Sequence, residues 1–158
     1  MPEIEIPELS AAFLFRRRPV AIPGDLRPAW RIGLVVQLLR KCCRGGRSTH
    51  TRLHVLSWGI RTKESRRGLQ EAISGHLAPD SLIVRFEPLL NRAVDFAIGE
   101  DLVRRVGGGK IQLTGAGNAL ADELESTDAI YVVEKQFMDA IGQRVTEAFV
   151  THIFGRRE

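Results

Sequence analysis

The chain has 158 residues, of which 44% are hydrophobic and 27% are charged, and this length and composition are typical of one compact domain, with or without arms. Its longest apolar runs span five residues, whereas a membrane helix needs about 20, so the sequence argues against a transmembrane segment. Two adjacent cysteines do not make a disulfide framework. Because the first apolar run follows acids rather than a basic region, a secretory signal is not expected either. We expect a cytoplasmic protein.

Positive charge is concentrated in one part of the chain. Residues 16–67 hold fourteen Arg and Lys against two acids, whereas residues 68–158 hold nine against fourteen. Such segregation predicts a basic surface on the folded molecule. Its natural partner is a phosphate backbone or an acidic protein surface.

The first 27 residues form the least regular part of the sequence. Prolines at positions 2, 7, 19 and 23, with Pro28 just beyond, interrupt any helix. We therefore predict an extended N-terminal arm over residues 1–27.

A helix is predicted from Pro28 to Cys43, where apolar side chains recur at helical spacing and Gly45 and Gly46 follow the end. A second helix is expected with Ser48 as its N-cap. Its apolar positions are Leu53, Leu56 and Ile60, and Arg52 and His54 are expected outside.

A third helix is predicted over about Lys63–Leu77, with three basic residues at its start. Cations there oppose the helix dipole, which favours an anion nearby. A turn at residues 78–80 leads to a predicted short strand, Leu82–Phe86. Pro88 then opens a helix over Leu89–Ile98 with a buried stripe and with Asn91, Arg92 and Asp95 outside.

The clearest local pattern is a β-hairpin. Residues 102–106 and 110–113 alternate around three glycines, which is typical of two strands joined by a tight turn. Thr114 is expected to cap a helix that runs to about Glu125.

One long amphipathic helix is predicted over Thr127–Phe154. Its apolar stripe either completes the domain's own core or contacts a second copy or a partner, and we favour such contact because the helix is longer than a small domain needs. The expected protein-interface residues are Ile130, Val133, Phe137, Ile141, Val145 and Phe149, and Ala148 lies on the same stripe.

Three sequence motifs resemble functional sites but lack features that those sites require. Gly107–Lys110 lacks the earlier glycine of a phosphate loop, and Gly115 and Gly117 lack the third glycine of a dinucleotide fold. Cys42, Cys43, His50 and His54 have poor geometry for zinc and no positioned third group for a Cys–His nucleophile. We expect no catalytic residue, no metal and no cofactor.

The predicted order of elements is that of a winged helix-turn-helix, a mainly α fold with a small β-hairpin wing (α+β). The run from Asp101 to Val103 and the run from Ile111 to Gly117 resemble the wing of MarR- and PadR-like regulators. The likeness covers roughly residues 30–125 and is specific for the fold rather than the function. It implies a winged-helix domain over residues 28–125, between the predicted arm (1–27) and the predicted C-terminal amphipathic helix (126–158).

A narrower resemblance rests on three segments, at residues 30–40, 52–61 and 85–93. They are similar to the small winged-helix middle components of bacterial ABC-three-component defence systems, which include the Lamassu-type antiviral systems. The resemblance implies a non-catalytic subunit that docks on an SMC-like ABC ATPase or on a nuclease-type effector and contacts DNA. From the basic residues of the chain, we expect this DNA to be double-stranded and bound without sequence preference. The alternative is a homodimeric winged-helix transcription regulator.

The expected contact residues for nucleic acid or for an acidic partner are mostly basic. The helix over Leu89–Ile98 combines one arginine with several acids, and such a surface is poorly suited to hydrogen bonding with bases. We therefore expect phosphate contact at most. A docking surface for an acidic protein and a merely solvated face remain open. The residues are Arg40, Lys41, Arg44, Arg47, Arg52, Arg61, Lys63, Arg66, Arg67, Asn91, Arg92, Arg104, Arg105 and Lys110.

Overall fold

The computed structural model describes residues 27–155, which form a mainly helical α+β fold with a small antiparallel sheet. The predicted arm lies almost entirely outside the described residues. No helix in the described part is long and apolar enough to cross a membrane. The helices are α1 (Pro28–Cys42), α2 (His50–Arg61), α3 (Lys63–Ile73), α4 (Pro88–Gly99), α5 (Gly115–Ser126), α6 (Val132–Ile141) and α7 (Glu147–Ile153), and the strands are β1 (Arg47–Thr49), β2 (Val103–Val106) and β3 (Lys110–Leu113).

The sheet has the order β1–β3–β2, with both pairs antiparallel. The predicted hairpin is confirmed as β2 and β3. The predicted strand Leu82–Phe86 is wrong, because this segment is extended but pairs with no strand of residues 27–155. The third strand is instead β1, which follows a 3-10 turn at Arg44–Gly46 whose two glycines have positive φ.

Helix α1 lies at the centre of the fold and contacts α2, α4, α5 and α6. Its side chains are buried nearly all round, and Val36, Leu38 and Leu39 have no exposed surface. A helix that is apolar on most faces needs neighbours on most faces. The core therefore surrounds α1 and continues into α6 and α7 rather than stopping at residue 125.

The start of α2 differs from the prediction. Thr49, not Ser48, is the N-cap, and its hydroxyl accepts a hydrogen bond from the backbone N–H of Arg52. Ser48 is buried in β1 instead. Leu53, Leu56 and Ile60 are buried as predicted, but the expectation that Arg52 and His54 lie outside is wrong, since both are buried.

Helices α3, α4 and α5 follow the predicted positions with small changes. Helix α3 ends at Ile73, four residues earlier than predicted, because Gly75 adopts a positive φ. Helix α4 buries its predicted stripe and leaves Asn91, Arg92 and Asp95 exposed. Thr114 caps α5 through the backbone N–H of Gly117, as predicted.

The predicted long C-terminal helix is wrong, since the segment forms two helices, α6 and α7. Helix α6 ends at Ile141, and the chain turns at Gly142, whose φ of 53° is favourable for glycine. Thr146 then caps α7. Phe137, Ile141 and Val145 are buried in the chain's own core.

The rest of the predicted stripe lies nearer the surface. Ile130, Val133 and Ala148 are exposed, and Phe149 is half-buried against the core. A single apolar face along the whole segment therefore does not exist.

Replacing Gly117 with alanine is expected to destabilise the fold by about 1–3 kcal/mol. A Cβ at this position would collide with the backbone carbonyl of Leu102, where α5 begins beside the start of β2. The matched control is Gly115→Ala, because a Cβ there meets nothing within 4 Å, and its effect should stay within about 0.5 kcal/mol. Urea unfolding of both variants measures the difference, and equal stabilities would contradict the close approach.

Candidate nucleic-acid interface

The exposed face of the sheet collects basic side chains from all three strands. In the register, Arg47 and Arg104 both lie opposite Gln112, so the three residues form one row across the sheet. Because side chains alternate along strands, Lys110 shares their face while Ile111 and Leu113 point to the core. We call Arg44, Arg47, Arg104 and Lys110 the sheet-face cluster, with Arg44 in the turn that leads into β1.

Hydrogen bonds fix the middle of this row. The Gln112 side chain accepts from Arg104 Nη2 at 3.2 Å and donates to the carbonyl of Gly45 at 3.3 Å. Gln112 thereby connects β2 to the turn before β1. Arg44, Arg47 and Arg104 are exposed, and neutralisation of phosphates by such cations is the main source of sequence-independent affinity for nucleic acid.

Two of the predicted contact residues pair with acids on other helices. Arg40 contacts Asn118 and Asp122 of α5, and Lys41 contacts Glu125 and Asp139. Burial alone would lower the pKa of Lys41, but its hydrogen bonds to the two carboxylates raise it above its usual value. These cations fasten α1 to α5 and α6, and their charge is largely neutralised there.

Two further predicted residues do not join the sheet-face cluster. Arg52 is buried and donates to the backbone carbonyl of Cys42 at 2.8 Å, so its inclusion as a contact residue is corrected. Arg105 is exposed, but it lies opposite Ile111 on the other face of the sheet and contacts Asp95 of α4 at 3.4 Å.

The corner between α2 and α3 gathers a second basic group. Arg61, Lys63 and Arg67 are exposed there, and Arg66 is half-buried with a hydrogen bond to the carbonyl of Ile60. Arg67 pairs with Glu71 one turn along α3. The predicted basic residues therefore occupy separate surfaces rather than one face.

The outer face of α4 carries few groups able to read bases. Asn91 is held by His54 Nε2 at 3.0 Å, and Asp95 is held by Arg105. Arg92 is exposed, but the neighbouring Phe96 is 55% exposed and apolar. Base reading depends on free donors and acceptors presented to the major groove, and this helix offers Arg92 alone among the predicted contacts.

A buried polar cluster, which the sequence analysis missed, positions the start of α4. Arg31 of α1 donates to both carboxylate oxygens of Glu87 at 2.7 and 2.8 Å, and Arg61 approaches the same carboxylate at 3.8 Å. Burial would raise the pKa of Glu87, but the hydrogen bonds and charge of Arg31, with the charge of Arg61, hold that pKa below its usual value. The only local indication in the sequence was an acid immediately before Pro88.

His54 completes this cluster as a neutral side chain. Its Nδ1 accepts from the backbone N–H of Glu87 at 3.4 Å, so its Nε2 carries the proton donated to Asn91. The ring stacks on Phe86 with centroids 4.4 Å apart. Burial lowers the pKa of His54 below the ordinary value of 6.5, although the hydrogen bond to Asn91 acts in the opposite direction.

The lowered pKa of His54 predicts a loss of stability in mild acid. The neutral form is favoured in the folded state, so its contribution is present above pH 6.5 and is lost as the pH falls towards the folded-state pKa. Below pH 6.5, His54→Gln should reduce the slope of unfolding free energy against pH by up to about 1.4 kcal/mol per pH unit. Urea titrations at several pH values measure this slope, and equal slopes for the two proteins would contradict the assignment.

The adjacent cysteines are buried and protonated. Burial, with the neighbouring Cys43, raises the pKa of Cys42 to about 12, and burial also raises the pKa of Cys43. A thiol must ionise before it attacks a substrate or binds a metal. In the described part of the chain, no three His, Cys, Asp or Glu side chains are placed to share a metal ion.

No protein-family model, no curated protein and no solved structure matches the chain.

Proposed function

We propose that the protein is a non-catalytic accessory subunit of an SMC-like ABC ATPase defence complex, which docks on the ATPase or its effector and contacts the DNA backbone. The observation that carries the DNA contact is the sheet-face cluster, where Arg47 and Arg104 flank Gln112 on an exposed surface. The nature of the complex comes from the resemblance of three segments of the sequence to middle components of such systems.

The order of elements supports a winged helix-turn-helix as the finer description of the fold. A hairpin follows α4, and a short strand before α2 adds to that hairpin in the order β1–β3–β2. In this arrangement the hairpin is the wing, and its tip at residues 107–109 is exposed glycine. Backbone contact by the wing agrees with the basic side chains on the strands beside it.

Two features favour backbone contact over the alternative of a sequence-specific homodimeric regulator. Helix α4 has Asn91 and Asp95 already engaged, which leaves little for base reading. The C-terminal stripe that would pair two copies is broken, and Phe137, Ile141 and Val145 pack inside one copy.

The proposal of a non-catalytic subunit is supported by the chemistry of the groups considered as candidates for catalysis. The thiols of Cys42 and Cys43 have raised pKa values, and both nitrogens of His54 are engaged with Asn91 and the backbone of Glu87. None of these groups is presented as a nucleophile or a general base.

Titration of the purified chain against a panel of duplexes tests the DNA contact. We expect similar affinity for random and palindromic sequences and a steep fall in affinity with salt. The regulator alternative instead predicts discrimination of about 10³-fold or more in favour of one sequence. Such discrimination, or no binding at low salt, would overturn the proposed contact.

A further inference from the structure

A groove of about 340 Å³ runs between α3 and α6, on elements separate from the sheet-face cluster. Its lining contains no acid and combines cations with apolar and amide side chains. The lining residues are Lys63, Arg66, Arg67 and Gln70 of α3 and Val133, Gln136 and Phe137 of α6.

The α3 side of the groove is basic along one face of the helix. Lys63, Arg67 and Gln70 follow each other at helical spacing, and Arg66 lies on the same side. Arg67 is 81% exposed, and its pairing with Glu71 is at the surface, where such pairs are weak. Lys63 is exposed and has no ion-pair partner within residues 27–155.

The α6 side is apolar and open. Val133 is 47% exposed, whereas Phe137 is 4% exposed and belongs to the core. Ile130 and Val132 extend the exposed apolar surface at the start of α6, with 36% and 48% of their surfaces exposed. Neighbouring exposed aliphatic side chains of this kind are typical of interaction sites.

We propose that this groove receives an acidic amphipathic helix of a partner protein. Two helices that present side chains at i, i+3, i+4 and i+7 form a surface on which a third helix packs. Apolar residues of that helix would cover Val133, and its carboxylates would meet Lys63 and Arg67. The phosphate backbone of a nucleic acid has no apolar group that could pack against the apolar side of the groove. The inference deepens the proposed function, on which it rests for the presence of a protein partner.

A photo-cross-linking residue at Gln136 identifies the occupant directly. The full chain, with p-benzoylphenylalanine in place of Gln136, is expressed together with its neighbouring genes, irradiated and analysed by mass spectrometry. A matched probe at Ala119, exposed on α5, reports cross-linking outside the groove. We expect the Gln136 probe alone to react with a partner segment that has apolar residues at helical spacing beside Asp and Glu.

A synthetic peptide of the cross-linked segment then tests charge complementarity with the purified full chain. Lys63→Glu combined with Arg67→Glu should weaken its binding at least about tenfold. The control combines Arg85→Glu with Arg92→Glu, which makes the same change in net charge at exposed residues outside both the groove and the sheet-face cluster, and it should bind nearly as wild type. A peptide with Lys in place of its acids should prefer the Lys63→Glu/Arg67→Glu protein.

Several outcomes would overturn the docking site. They are no cross-link at Gln136, a cross-link to residues 1–26 of the same chain, to a second copy or to DNA, and peptide binding that ignores the charge reversal. Failure of the proposed function is separate, since it appears as the absence of an ATPase among co-purified proteins. A cross-link to an acidic helix of a protein that is neither an ABC ATPase nor its effector would support the docking site and contradict the proposed complex.

Discussion

Glu87→Ala is expected to lower the free energy of unfolding by about 3 kcal/mol, because it leaves the buried guanidinium of Arg31 without its partner. The side chains of Arg31 and Glu87 are 9% and 16% exposed, and two hydrogen bonds join them. Urea unfolding with a fluorescence readout measures the change. The start of α4 should also loosen, since Glu87 and His54 together hold that segment.

Two companion variants make the Glu87 prediction specific. Glu71→Ala removes a surface pair with Arg67 and should cost less than about 1 kcal/mol. Adding Arg31→Met to Glu87→Ala removes the unpaired charge and should recover much of the lost stability. If Glu87→Ala were no worse than Glu71→Ala, the buried pair would not organise this region.

Arg104→Glu is expected to weaken binding to random-sequence duplex by about tenfold or more at low salt. The change removes one phosphate contact and adds repulsion, and the slope of log affinity against log salt should fall by about one. Arg47→Glu should behave in the same way, because Arg47 and Arg104 flank Gln112 on the same face.

Arg85→Glu is the matched control, since it makes the same charge change at an exposed residue outside the sheet. Fluorescence anisotropy with a labelled duplex measures all three variants. If Arg85→Glu weakened binding as much as Arg104→Glu, net charge rather than the sheet-face cluster would account for the affinity.

Local patterns predicted the hairpin and most helices because the determining interactions lie close together in the sequence. The glycines at 107–109 and the alternation beside them specify β2 and β3 without help from distant residues. Strand β1 has three residues, too few for a period, and it pairs with a strand about 60 residues later. Leu82–Phe86 has strand propensity, but it pairs with no strand among residues 27–155.

The C-terminal segment shows how a continuous period hides a break. Phe137, Ile141 and Val145 keep the spacing of one helix across Gly142, yet the chain turns there and starts again at Thr146. All three remain in the core on both sides of the turn. Apolar spacing therefore indicated that these three side chains are covered, but it indicated neither the turn at Gly142 nor that they cover the chain's own core instead of the expected protein interface.

The density of basic residues along the sequence predicted a basic surface but not how the fold distributes these residues over separate surfaces. Arg31 is buried and pairs with Glu87, which is 56 residues away in the sequence. Arg52 is buried and donates to a backbone carbonyl. Arg40 and Lys41 meet acids of α5 and α6. These pairings depend on the packing of helices distant in sequence, so no local pattern reveals them.

Affinity purification of the tagged full chain, expressed with its neighbouring genes, tests the proposed role most directly. Mass spectrometry should find a large ABC ATPase recovered in stoichiometric amount, and the sheet-face variants should leave that recovery unchanged while DNA binding falls. Recovery of the protein alone, as a homodimer, would contradict the role of accessory subunit.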